Sequence, residues 1–257
     1  MDISGLIDDL GGIPIVTDPA KLRLKSRDFY WYSPVLKRQL EHVRADLVVE
    51  PRDEDELVRT LRQCHARQIP VTVRGGGSGN YGQAMPLAGG VVLDLSRLDA
   101  IKEIRLGRVR AQAGAKLARI DQACQDDSRQ ELRFHPSTLK MGTIGGFVAG
   151  GSSGIGSITY GLLRDPGNIL MTRVVTMEAE PRVLELKGRD IQKVNHAYGA
   201  NGVITDVPKQ LVTDLRKPPP LYVTGEGEGA SGQGAEGAVE GATETTAGSS
   251  AREEEGE

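Results

Sequence analysis

The chain has 257 residues, room for one large domain or two small ones, with 38% hydrophobic residues and a formal net charge of −3. The last 33 residues, Gly225 to Glu257, hold nine Glu against one Arg, so the acidic balance belongs to the tail and residues 1–224 carry +5. That mild excess suits an anionic small ligand and falls short of the strong basic patch of a nucleic-acid surface. Four histidines without ligand spacing argue against a zinc site. Cys64 and Cys124 lie far apart in helix-like stretches and read as buried free thiols. The start, Met1-Asp2-Ile3-Ser4-Gly5-Leu6, lacks the basic and apolar regions of a signal peptide. No apolar run approaches the length of a membrane span. A cytoplasmic protein is therefore expected.

Residues 1–43 combine a short amphipathic start with the aromatic cluster Phe29-Tyr30-Trp31-Tyr32, read as an arm packed over the main body. Leu47-Val48-Val49 predicts a strand closed by Pro51. Asp53 opens a helix with Glu56 three positions on, a capping-box-like start, and Leu57, Val58, Leu61 and Cys64 give it one apolar face. Pro70–Val73 and Val91–Leu95 predict further strands on either side of a glycine loop. Ile101 to Ala113 reads as a hairpin turning at Leu106-Gly107, and Lys116 to Asp126 as a helix with Leu117, Ile120 and Cys124 inward. Beyond the main glycine run, Ile169–Met177 and Arg182–Leu186 predict paired strands. Asp190–His196 predicts a short helical stretch, and Gly202–Val212 a last strand. Pro218-Pro219-Pro220 is expected to end ordered structure, leaving a disordered tail.

The twenty residues from Gly142 to Gly161 contain eight glycines. Glycine so dense costs backbone entropy, so it predicts either a loop cradling a large ligand or a flexible linker. Ile144, Phe147, Val148, Ile155 and Ile158 are apolar anchors that a linker does not need. Thr143, Ser152, Ser153 and Ser157 add hydroxyls among free N–H groups, a mixture suited to phosphate. A second loop, Arg74-Gly75-Gly76-Gly77-Ser78-Gly79-Asn80-Tyr81-Gly82, contains a literal G-x-G-x-x-G. The nicotinamide-binding version must open a helix at once, yet Gln83-Ala84-Met85-Pro86 follows and no helix fits. Neither loop carries a Walker lysine. Two separated glycine loops could hold a dinucleotide from two sides. Arg74 is a candidate charge partner for its phosphates, or an ordinary surface or helix-pairing arginine.

These residues resemble the FAD-binding domain of FAD-linked oxidases of the vanillyl-alcohol oxidase / p-cresol methylhydroxylase type. The glycolate-oxidase-subunit and D-lactate dehydrogenase branch is the nearest within it. The resemblance spans roughly Asp46 to Val212 and rests on motifs in order: Val49-Glu50-Pro51; Pro70 to Ser78; Gly89 to Ser96; Pro136-Ser137-Thr138 with Thr143 to Gly146; Gly151 to Gly156 with Tyr160-Gly161; and Tyr198-Gly199 with Asn201 to Thr205. It implies an α+β fold of two α/β subdomains, about 44–100 and 101–213, with FAD between them, preceded by the arm 1–43 and followed by a disordered Gly/Glu-rich tail, 214–257. It further implies that Gly75 to Gly79 hold the pyrophosphate, with Arg74 and Asn80 at the loop ends. Pro136, Ser137, Thr143, Gly145 and Gly146 would line the second side. Gly151, Ser153 and Ile155 would continue along the cofactor, and Ile204 would sit near the adenine. Ser78 stands where some relatives tether flavin through histidine, so non-covalent FAD is expected. His135 is either a packing or a flavin-proximal residue.

The match fades near Thr213, where relatives continue into a cap domain that carries the substrate-side residues. A truncated or frame-shifted product is expected, with catalytic residues unassigned and the substrate face of the flavin open. The implied function is an FAD-dependent oxidoreductase of a lineage oxidising small-molecule hydroxy acids or alcohols. The alternative is a non-catalytic FAD-binding subunit whose partner supplies the cap.

Overall fold

A computed structural model describes residues 1–212, with side chains through Lys209. The predicted tail, 214–257, and the triple proline lie outside the described residues. In chain order the first half comprises α1 (Ile3–Asp9), β1 (Ile15–Val16), α2 (Pro19–Lys25), α3 (Pro34–Leu40), β2 (Leu47–Val49), α4 (Glu54–Ala66), β3 (Val71–Arg74) and β4 (Val91–Asp94). These strands form one sheet in the order β1-β2-β4-β3. β2 and β3 both run parallel to β4, and β1 pairs antiparallel with β2. Every residue of β2 and of β4 is buried, as a parallel strand covered on both faces requires. Leu57, Leu61 and Cys64 of α4 cover one face, and Leu22 of α2 packs towards the other, on Val48 and Val92.

Asp53 caps α4 through the Glu56 N–H. Glu56 returns its carboxylate to the N–H of Arg52, one residue before the position a reciprocal box would use. Residues 1–43 are woven into the first sheet rather than only laid on it. β1 supplies an edge strand, and Leu6 and Leu10 enter the main core.

The second half comprises β5 (Ile101–Arg105), β6 (Arg108–Gln112), α5 (Leu117–Ser128), β7 (Glu131–Leu132), α6 (Ile144–Gly150), α7 (Ser157–Tyr160), β8 (Met171–Val175), β9 (Val183–Lys187) and β10 (Val203–Val212). Its sheet is antiparallel, ordered β5-β6-β10-β8-β9, with β7 added beside β10. The hairpin turn falls at Leu106-Gly107 as expected, and a 3-10 stretch over Gly188–Lys193 replaces the predicted helical segment at 190–196. The mixed α/β architecture with two sheets agrees with the fold class read from the sequence. Glu54 joins the halves: it accepts from Arg173 of β8 at 2.8 Å and from the Thr205 hydroxyl of β10 at 2.9 Å. Among the described residues no helix is long and apolar enough to cross a membrane.

One expectation needs correcting. The glycine run is not all loop, because its first part is α6. Thr143 caps that helix by accepting from the Gly146 N–H at 3.2 Å, and Ile144, Phe147 and Val148 bury one face. Gly151 ends it in the left-handed region at φ +66°, where glycine carries no steric penalty.

Candidate functional site

β3 delivers the chain into the loop 75–82, and α6 stands opposite. Between them lies a cleft of about 680 Å³, within the range of small-molecule and cofactor sites. Gly75, Gly76, Gly77, Ser78, Gly79 and Asn80 line one side, and Pro136, Ser137, Thr143, Gly145 and Gly146 line the other, with Ile204 in the wall. The two glycine segments that are about sixty residues apart in sequence thus meet, as a two-sided cradle requires.

They meet by direct backbone packing. A Cβ on Gly75 would lie 2.3 Å from Thr143 Oγ1, one on Gly76 2.1 Å from the Met141 carbonyl oxygen, and one on Gly145 2.5 Å from Ala113 Cβ. These glycines are held by the opposing protein surface. Gly150 differs: it lines the cleft, and nothing lies within 4 Å of where its Cβ would stand.

The N–H groups of Gly75 through Asn80 donate no hydrogen bond to any described residue. Five successive half-buried donors, Gly75 to Gly79, followed by the exposed Asn80 N–H, form an anion-binding nest on a concave loop. The hydroxyls of Ser78, Ser137 and Ser152, all in the cleft wall, add further donors. A negatively charged pyrophosphate fits this donor set, and the flanking rings of a dinucleotide fit the aromatic and apolar walls described below.

Four of the sequence-derived candidates stand apart from the cleft lining. Arg74 turns behind its own loop and donates through Nη1 to the Arg27 carbonyl. Burial lowers the pKa of Arg74, while Asp94 and Asp28 oppose the shift. Arg74 thus braces the loop from behind, a role that differs from the surface or helix-pairing alternative given above. Gly151 packs against His196. Ser153 Oγ accepts from the Leu163 N–H at 2.7 Å. Ile155 exchanges backbone hydrogen bonds with His135, which ties the segment to Pro136. Asp28 lies below the first loop, its carboxyl pushed up by burial although the Tyr30 N–H counteracts this. Lys116 Nζ donates to the Met141 carbonyl at 2.7 Å, and burial lowers its pKa.

Several wall residues escaped the sequence reading. Phe29, Tyr32 and Tyr81 line the cleft, as do Tyr198 and Gly199. A signal existed for the first group: aromatic residues outside any periodic apolar segment need a reason to be there. Tyr198 and Gly199 sat in a motif but had been given no role.

The sequence profile described as "FAD binding domain" matches residues 45–185. The glycolate oxidase subunit GlcD of Escherichia coli K12 is 33% identical over 181 residues, covering 67% of this chain and 35% of that protein. A D-lactate dehydrogenase of Archaeoglobus fulgidus is 30% identical, covering 65% of this chain and 38% of its own length. The chain thus spans about a third of the curated relatives it matches. Among solved structures, an alkyldihydroxyacetonephosphate synthase superposes with a TM-score of 0.71 at 19% identity, over 82% of this chain and 40% of that one. The BBE-like 1 protein of Physcomitrella patens gives 0.66 at 16% identity, over 81% and 44%. These structural likenesses speak for the fold.

Proposed function

This chain belongs to the FAD-binding domain family, and we propose that it holds FAD non-covalently as the cofactor-binding part of an oxidoreductase acting on small 2-hydroxy acids. The observation that carries the reading is the nest of unpaired N–H groups from Gly75 to Asn80, facing α6 across the cleft. The loop donors would neutralise the pyrophosphate, and Ser137 and Ser152 would reach it from the other side. Among the described residues, no histidine or cysteine lines the cleft, and Ser78 stands in the loop wall. The substrate class is suggested by relatives named for glycolate, D-lactate and D-2-hydroxyglutarate.

Bound flavin supplies the acceptor for the hydride equivalent removed from a substrate C–H. The protein's part in the cleft is to position and desolvate. Among the described residues, no carboxylate, histidine or lysine lines the cleft. A general base for a hydroxy acid should titrate near the working pH. We therefore assign the substrate-side base to a further polypeptide segment or a partner subunit. A cytoplasmic setting belongs to the same proposal.

The test is a visible absorbance spectrum of the purified chain after addition of FAD and dialysis. A retained, structured flavin band that is released on acid precipitation is expected. A folded but colourless protein would overturn the reading. Adding glycolate or D-lactate anaerobically should leave the band unbleached if the base lies on another chain.

A further inference from the structure

We propose that Phe29 and Tyr32 form a stacking wall for the isoalloxazine ring, which makes the N-terminal segment part of the flavin site. The inference rests on the FAD reading above. The family match begins at residue 45, so this wall lies outside the matched region.

The direction of the first loop places it. At the loop's start, Val73 packs beside Gly199: a Cβ there would touch the Val73 side chain at 3.4 Å. At its far end the Phe29 N–H donates to the Gly79 carbonyl at 2.7 Å. The anion nest lies between. A dinucleotide has the same order, with a ring system on either side of a pyrophosphate. The cleft therefore has two ring ends, one beside Val73 and one beside Phe29.

The two ends differ in access. Gly202 and Ile204 line the cleft and are buried, and Tyr198, beside Gly199 at the Val73 end, is 45% exposed. At the other end Tyr32 is 71% exposed. A ring that must meet a substrate belongs at the open end. There the Phe29 and Tyr32 rings are nearly parallel, with centroids 5.8 Å apart and planes 15° apart. The backbone that carries them is fixed on both sides. Ser26 Oγ accepts from the Ala45 N–H at 2.9 Å, and Asp28 Oδ1 accepts from the Tyr30 N–H at 2.9 Å. Tyr32 is backed by Phe29 and Trp31 and keeps most of its surface exposed, so it can stack on a planar ring.

The test compares Tyr32→Ala and Tyr32→Phe with the wild-type full chain, measuring FAD affinity, ADP affinity by competition, and the emission of bound flavin. Tyr32→Ala should weaken FAD by about two- to tenfold, the range of an aromatic pair, and leave ADP unchanged. Tyr32→Phe should keep the affinity, yet bound flavin should emit more strongly, because a stacked phenol quenches flavin by electron donation and a phenyl ring does not. A merely structural tyrosine would not separate affinity from emission in this way. Unchanged FAD affinity in Tyr32→Ala overturns the inference, as does an equal loss for ADP. Absence of FAD binding by the wild-type chain would overturn the functional reading and this inference together.

Discussion

Lys209 is fully buried on β10, and replacing it by Met should stabilise the protein at neutral pH and lose that advantage at high pH. Its Nζ donates to the Phe134 carbonyl at 2.9 Å and lies 4.5 Å from the centre of the Phe147 ring and 5.5 Å from that of Phe134. Among the described residues, no carboxylate bonds it. Asp121, which favours the charged form from a distance, is occupied by the Leu132 N–H and by Gln125. Burial pulls the Lys209 pKa down from 10.5 to about 7. The folded pKa is thus below the unfolded one. Between the two values the unfolded chain binds the extra proton, so stability rises with pH. From pH 7 to pH 10 the swing is about 3.5 kcal/mol for a shift of that size. Both rings favour the ammonium and reduce the swing, so about 2–4 kcal/mol is expected. Met fills a similar volume without titrating, but it leaves the Phe134 carbonyl unpaired at a cost of about 1–3 kcal/mol. Lys209→Met should therefore be the more stable protein near pH 7 and the less stable one near pH 10. Urea unfolding of both proteins across that range measures the difference, with all other titrations common to the pair. A stability difference that stays flat with pH would refute the argument, since Lys209 would then be no less charged in the folded state than in the unfolded one.

The two kinds of cleft glycine should separate on substitution. Gly145→Ala meets Ala113 and should destabilise the fold by about 1–3 kcal/mol in thermal or urea melts, as overpacking does. Gly150→Ala meets only open space and should melt no lower than wild type, while weakening FAD in a binding titration. Glu54 is held below the usual carboxylate range, first by its Arg173 hydrogen bonds. Its folded pKa is lowered, so its contribution is present above the ordinary value and is lost as pH falls. Glu54→Gln should cost about 1–2 kcal/mol at pH 7, discounted for partial exposure, and the cost should fade as pH falls below about 4 in acid unfolding curves. The Cys64 and Cys124 thiols are both pushed up to about 12, chiefly by burial, so neither should react with a thiol reagent at neutral pH until the protein unfolds.

The first sheet was legible because its strands are short apolar runs and α4 has clear periodicity and a cap. The second sheet was legible through its hairpin turn and its alternating strands. The N-terminal helices were missed, although α2 and α3 each begin with a capping residue and a proline, Asp18-Pro19 and Ser33-Pro34. That start signal was present in the sequence. α6 was missed because three of its seven residues are glycine, which lowers helix propensity by about 1 kcal/mol each. Tertiary burial of Ile144, Phe147 and Val148 overrides that. The role of Arg74 was not legible. Charge logic pointed it at a phosphate, but its partner is a carbonyl far away in the sequence.

Glycine density pointed to the cleft by an incomplete argument. A bare backbone was expected where a ligand approaches. Gly75, Gly76 and Gly145 are bare because other parts of the protein approach: Thr143, Met141 and Ala113. That close approach has a functional consequence of its own. It brings the two glycine segments together as walls of one cleft. It also leaves the N–H groups of Gly75 to Asn80 without a ladder partner, because the loop packs through its Cα atoms and not through its amides. A side chain at Gly75 or Gly76 would push the segments apart and widen the cleft. Such a substitution should therefore lower FAD affinity without touching the cofactor. Compared at equal melting temperature, a Gly76→Ala variant that bound FAD as tightly as wild type would sink this account of why the glycines are there.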